Sequence, residues 1–177
     1  MTKGLATELG QLVERFTKEP KTIESDSLDR VAEQLAKCFG VQADEVAVLV
    51  LTHGGKILKF LIPEKFQTVG TIPVTSIASL AARTAREKRA ELANNFTTAR
   101  HASVFEGIPL GGRSGEQIHK IMSAPILDGN DTVGVVQISR KGQSVSDAGP
   151  DFTQQDLREL ISITEVLSRF IKLYQAP

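Results

Sequence analysis

The chain has 177 residues, with 21 Lys plus Arg against 21 Asp plus Glu, so it carries no net formal charge. That balance, with a pI near 6.8, excludes the global basic field of a dedicated nucleic-acid binder. The 41% hydrophobic and 24% charged content suits a chain that buries one ordinary core, and no apolar run reaches the 18 residues a membrane span needs. The single cysteine, Cys38, can form neither an internal disulfide nor a CxxC metal pair, and the N-terminus lacks the pattern of an export signal. The expectation is a cytoplasmic protein with no nucleic-acid and no membrane partner.

The first predicted helix runs from Lys3 to about Lys18, with Leu5, Leu9, Leu12, Val13 and Phe16 on a narrow stripe, and ends at Pro20. Asp26 or Ser27 is the expected cap of a second helix carrying Leu28, Val31, Ala32, Leu35 and Phe39, which stops at Gly40. Six consecutive apolar residues, Val46 to Leu51, predict a strand covered on both faces. Gly54-Gly55 reads as a two-residue hairpin turn, with Lys56 to Ile62 as the returning strand. Thr75 or Ser76 is the expected cap of a third helix bearing Ile77, Leu80, Ala81, Thr84 and Ala85, and Glu91 to Ala93 is a short strand.

Thr97 to Glu116 has no clear periodicity and is rich in glycine; a loop this long in a compact domain is commonly functional. Ile118–Leu127 and Thr132–Lys141 form a hairpin around Asp128-Gly129-Asn130-Asp131, whose two aspartates bond their own turn. Pro125 lacks an N–H and is expected away from a ladder bond or at a bulge. Thr153 as N-cap with Asp156 at N3 predicts a capping box, and Phe152 with Leu157 a hydrophobic staple, at the start of the last helix. The order of two helices, two strands, a helix, a short strand, a loop, two strands and a helix indicates an α+β fold with a mostly antiparallel sheet.

These pieces together resemble the GAF domain from Ser25 to Tyr174. The resemblance is carried by "EVAVLVLTHGGKILKF", "IPVTSIASLAARTAREKRAELANN", "APILDGNDTVGVVQISRKG" and "FTQQDLRELISITEVLSRFI". It implies a GAF/PAS-like central antiparallel sheet of five or six strands. The N- and C-terminal helices would lie on one face, and a ligand pocket under a lid, Thr97 to Glu116, on the other. Residues 1–24 then form an N-terminal helix and linker, a candidate dimerisation element, and 25–177 the GAF domain. The resemblance also implies a sensor of an unidentified small molecule that regulates a signalling partner in trans.

Some relatives that bind cyclic nucleotides carry an Asn-Lys…Phe…Asp-Glu set. Here those positions read Arg140, Lys141, Phe152, Asp156 and Leu157, so the Asn and the Glu are missing. Lys141 and Asp156 remain able to pair, and the retained residues are otherwise explained by the helix start. The family's reductase branch, the free methionine sulfoxide reductases, needs a nucleophilic thiolate in the lid, and Thr97 to Glu116 has no cysteine. Cys38, beside Phe39, is expected to be a buried structural thiol. Neither an enzyme nor a metal site is expected; His53, His101 and His119 lack metal-site spacing.

The candidate ligand-binding residues are Asn95, Arg100, His101, Phe105 and His119. Arg100 and His101 would orient polar or anionic groups, Phe105 would cover an apolar part, and Asn95 and His119 would hydrogen-bond from the sheet side. The last helix carries two stripes. Leu157, Leu160, Thr164, Leu167, Ile171 and Tyr174 form one; Ile163, Val166, Phe170 and Leu173 form the other. One covers the sheet, and the second is covered either by the first helix of the same chain or by a second chain in a homodimer. The alternative to a sensor is a ligand-free dimerisation or interaction module.

Overall fold

The computed structural model describes residues 2–19, 25–52, 54–68, 70–96 and 117–175. Helices α1 (Thr2–Lys18) and α2 (Ser25–Phe39) precede strands β1 (Val46–Thr52), β2 (Ile57–Ile62) and β3 (Thr71–Pro73). Helix α3 (Leu80–Glu87), strands β4 (Glu91–Ala93), β5 (Gln117–Asp128) and β6 (Asp131–Gly142), and helix α4 (Gln154–Gln175) complete the order. The strands form one sheet in the order β3-β2-β1-β6-β5-β4, and every neighbouring pair is antiparallel.

The alternation of side chains along β1 divides the core. Val46, Val48 and Val50 point to a cluster shared with α1, α2 and α4, while Ala47 and Leu49 point to a second cluster shared with α3. The run of apolar residues that predicted a doubly covered strand is therefore the middle of the sheet. Pro125 lies beyond the last rung between β5 and β4, which is Glu91↔Ser123, so its missing N–H removes no bond to β4.

Each helix end has a local chemical cause. Gly40 takes φ 63 and lets Val41 N–H reach Ala36 O at 3.0 Å, which closes α2 in a Schellman-type turn. Arg140 then donates to the carbonyls of Phe39 at 3.1 Å and Gly40 at 3.2 Å, while its guanidinium lies 4.6 Å from the Phe152 ring centroid. At the start of α4 the capping box forms as expected. Asp156 N–H donates to Thr153 Oγ1 at 3.1 Å and Thr153 N–H to Asp156 Oδ2 at 2.8 Å. Phe152 and Leu157 are both buried in the helix-side core.

Four expectations are corrected. Helix α2 begins at Ser25, so Asp26 and Ser27 lie in its first turn rather than ahead of it. The cap of α3 is Ser79, whose Oγ accepts from Ala82 N–H at 3.1 Å, not Thr75 or Ser76. Ile77 accordingly lies outside the helix and is 95% exposed. The first hairpin does not turn on Gly54-Gly55 alone. Its last rung is Thr52↔Ile57, so four residues span the turn, with Gly54 and Gly55 at φ 68 and 84. Finally, Lys141 and Asp156 go to different partners: Lys141 Nζ donates to Asp44 O at 2.7 Å, and Asp156 is spent on its own cap.

Of the two covers for the second stripe of α4, the described chain supplies its own. Leu9, Leu12, Val13 and Phe16 of α1 are buried in the same cluster as Ile163 and Phe170, with Val166 and Leu173 packed against it, and the Phe16 and Phe170 rings stand 5.9 Å apart. Phe170 is fully buried. Phe170→Ala should therefore lower the unfolding free energy by about 3–5 kcal/mol, read from urea denaturation. A loss below 1 kcal/mol would mean that α1 does not seal this face.

Candidate functional site

The α3 side of the sheet carries a polar row inside an apolar core. Directly opposed residues share a face, and the register aligns Ala47, Gln137, Ser123 and Glu91 across β1, β6, β5 and β4. Ser123, Gln137 and the nearby Ser139 have no exposed surface. Around them stand Leu49, Ile121, Val135 and Phe96, and α3 presents Leu80, Ala81, Ala82 and Ala85 to the same cluster.

Helix α3 is held over this row by ties from its middle and its last turn. Arg83 forks onto Glu91, Nε to Oε2 at 3.0 Å and Nη2 to Oε1 at 3.3 Å. Arg86 Nη1 donates to the carbonyls of Val74 and, at 2.8 Å, Ser76. At the same C-terminal end Lys88 takes the left-handed conformation, φ 53, and Thr132 Oγ1 donates to Ala85 O at 3.0 Å. An eight-residue helix is too short to be stable alone, so these ties and the apolar contact set its position.

Within the row the hydrogen bonds form a chain. Gln137 Nε2 lies 3.2 Å from Ser123 Oγ, Ser123 Oγ 2.7 Å from Thr84 Oγ1, and Thr84 Oγ1 2.8 Å from Leu80 O. Ser139 Oγ donates to Glu45 O at 3.1 Å. One atom is left out. Gln137 Oε1 is buried and has no hydrogen-bond partner among the described residues. Such an acceptor costs about 1–3 kcal/mol when left dry and unpaired.

The structure locates two of the five residues picked from the sequence. Asn95 is exposed in the bend after β4. His119 is half-buried, and its Nε2 lies 2.9 Å from Gly142 O on β6, so that nitrogen donates across the hairpin. Arg100, His101 and Phe105, with the proposed lid, lie outside the described residues, as does His53. Sequence reasoning passed over Gln137, Ser123 and Thr84. The available signal was a glutamine inside "VGVVQIS" and a serine two residues before Pro125, polar positions in otherwise apolar strands.

A second set of polar side chains ties the sheet to α4. Lys120 is buried, and its Nζ reaches Gly149 O at 2.6 Å and Asp151 Oδ1 at 2.8 Å. Asn94, just past β4, uses both ends of its amide on one residue: Nδ2 donates to Phe152 O at 2.9 Å and Oδ1 accepts from Phe152 N–H at 2.8 Å. The end of edge strand β4 is thus bonded directly to the residue that precedes the cap of α4.

Cys38 lies on the opposite side of the sheet, in the helix-side core. It borders a crevice of about 300 Å³ with Ala6, Gln155, Arg158, Glu159 and Ile163. Burial first, and then the negative charges of Glu159 and Glu8, push its thiol up to about 11. It is therefore protonated and weakly nucleophilic near neutral pH.

A family model for the GAF domain matches residues 25–171. The chain belongs to the GAF domain family. No curated protein sequence matches it. Among solved structures it is similar to the GAF domain of an Acinetobacter phosphoenolpyruvate-protein phosphotransferase, with 15% identity, TM-score 0.60, and coverage of 93% of this chain and 92% of that one. It is also similar to free methionine-R-sulfoxide reductase from Neisseria meningitidis, solved with its substrate, with 14% identity, TM-score 0.62, and coverage of 100% and 92%. The second GAF domain of DevS from Mycobacterium smegmatis matches with 13% identity, TM-score 0.56, and coverage of 85% and 95%. At these identities the likeness establishes the shared GAF fold.

Two measurements test the site chemistry. Gln137→Met removes an unpaired acceptor and one neutral hydrogen bond, so the melting temperature of the ligand-free protein should stay level or rise by up to about 4 °C. A fall of several degrees would show that Oε1 is already satisfied. For Cys38, the folded state favours the protonated thiol, so its stabilising contribution is intact below pH 9 and is lost as pH rises towards about 11. Wild type should lose stability over that window relative to Cys38→Ala, and the native thiol should react slowly with a disulfide reagent at pH 8. Parallel pH profiles would remove the claim.

Proposed function

We propose that this GAF domain is a non-catalytic small-molecule-sensing module that binds its ligand on the α3 side of the sheet, at the polar row of Ala47, Gln137 and Ser123. One observation carries the reading: a fully buried side chain, Gln137, keeps an acceptor atom without a partner among the described residues, in a row whose other polar side chains are hydrogen-bonded. Stability alone gives no reason to retain it, whereas a bound compound that completes it does.

The output runs through the terminal helices. Asn94 links the edge of the site to Phe152, and Phe152 leads into α4. A ligand that contacts the row in only one arrangement of this joint shifts the population of that arrangement. The helices then present the change to a signalling partner in trans or to a second copy. Exposed Ile161 and Tyr174 on α4 are apolar points for such a contact.

Catalysis of the reductase type is disfavoured by the thiol inventory. The sole cysteine is Cys38, which lies in the helix-side core with its pKa raised. Native mass spectrometry of the purified protein and a thermal-shift screen test both halves. A ligand at a hundred times its dissociation constant should add about 2.7 kcal/mol of stability, and free methionine sulfoxide should not be turned over with a thiol reductant. Turnover that is abolished in Cys38→Ala would replace the sensor with an enzyme. A screen without a single stabilising compound would favour the interaction module.

A further inference from the structure

Counting protons along the buried row determines which way the Gln137 amide faces, and hence what a ligand there must offer. Thr84 has one hydroxyl proton. Leu80 O has none, so the 2.8 Å contact between them requires Thr84 to donate to Leu80 O. Thr84 Oγ1 can then only accept at its 2.7 Å contact with Ser123, so the Ser123 proton is spent on Thr84. Ser123 Oγ, in turn, can only accept from Gln137 at 3.2 Å. The atom of Gln137 facing Ser123 must therefore be the nitrogen. The oxygen and nitrogen of an amide are otherwise easily exchanged in assignment, but here the chain that ends on the helix carbonyl settles the choice.

Oε1 consequently faces away from the relay as an acceptor, and the same amide keeps one further N–H to donate. The carboxylates of the neighbourhood are already engaged. Glu91, in the same row, is held by the Arg83 fork. Glu45, near Ser139, accepts from the backbone N–H of Lys141 at 2.6 Å and of Gln42 at 3.0 Å. An ammonium ion placed here would be buried without an unengaged carboxylate among the described residues, and a carboxylate or phosphate would set lone pairs against Oε1.

We infer that the ligand of this site is a neutral compound carrying an amide-like edge, an N–H donor next to a carbonyl acceptor as in a carboxamide, lactam or urea. This rests on the reading of the α3 side as the ligand site. The donor meets Gln137 Oε1 and the acceptor meets the remaining Gln137 N–H. The apolar body of the compound packs against the Leu49, Ile121 and Phe96 cluster.

The test is a ligand-observed NMR screen of the full chain with three matched sets of fragments: primary amides, lactams and ureas; their fully N-methylated counterparts; and the corresponding carboxylates. The amide-bearing set should bind at least tenfold more tightly than the other two. Gln137→Met should abolish that preference while leaving the circular dichroism spectrum and melting curve of a folded protein. Ser123→Ala releases the amide to rotate, so carboxylates should then bind within about threefold of the amides. Equal binding of methylated or acidic fragments to wild type, or a preference that survives in Gln137→Met, overturns the inference and leaves the ligand site standing. Binding of no fragment from any set overturns the site itself.

Discussion

A sheet covered on both faces leaves no water for the polar groups between its layers. Every side chain on the α3 side must therefore be apolar or find its hydrogen-bond partner inside the protein. Ser123, Thr84 and Ser139 meet this demand by bonding to one another or to main-chain carbonyls. Gln137 meets half of it. The position of α3, the orientation of the relay and the character of the site all follow from how that demand is divided. Thr84 can serve as the relay's terminus because the helix carbonyl four residues earlier faces the same side. The helix is in place because Arg83, Arg86 and Thr132 bind it to the strands around it.

Much of the architecture was legible because its signals were local or periodic. The capping box of Thr153 and Asp156 needs only residues three positions apart, and it forms with both bonds. The doubly apolar run of β1 and the Gly129 turn specify a central strand and a hairpin for similar reasons. β3 was missed because three residues, Thr71–Pro73, contain no periodicity to read; it exists through its pairing with β2. The cap of α3 was misplaced because Thr75, Ser76 and Ser79 are chemically equivalent candidates. Tertiary ties through Arg86 to Val74 and Ser76 keep the earlier two outside the helix.

The site was harder to read than the fold. Histidine and arginine attract notice in a sequence, whereas glutamine and serine within a strand look like ordinary surface positions. Their meaning depends on which face they share and on what lies opposite, and that is set by the registers of β1, β6, β5 and β4. His119 shows the converse. Its chemistry suggested a ligand contact, but its neighbour on β6 offered a carbonyl, and Nε2 engages that.

The joint between Asn94 and Phe152 also sets unequal limits on sequence drift. Both bonds end on the main chain of residue 152, so any residue other than proline there can keep them, provided that its bulk suits the pocket beneath Arg140. At residue 94 the same geometry needs a short side chain with a donor and an acceptor on one carbon. Aspartate lacks the donor and glutamine is one methylene too long. Homologous chains should therefore vary at the helix side of this joint while the strand side stays asparagine.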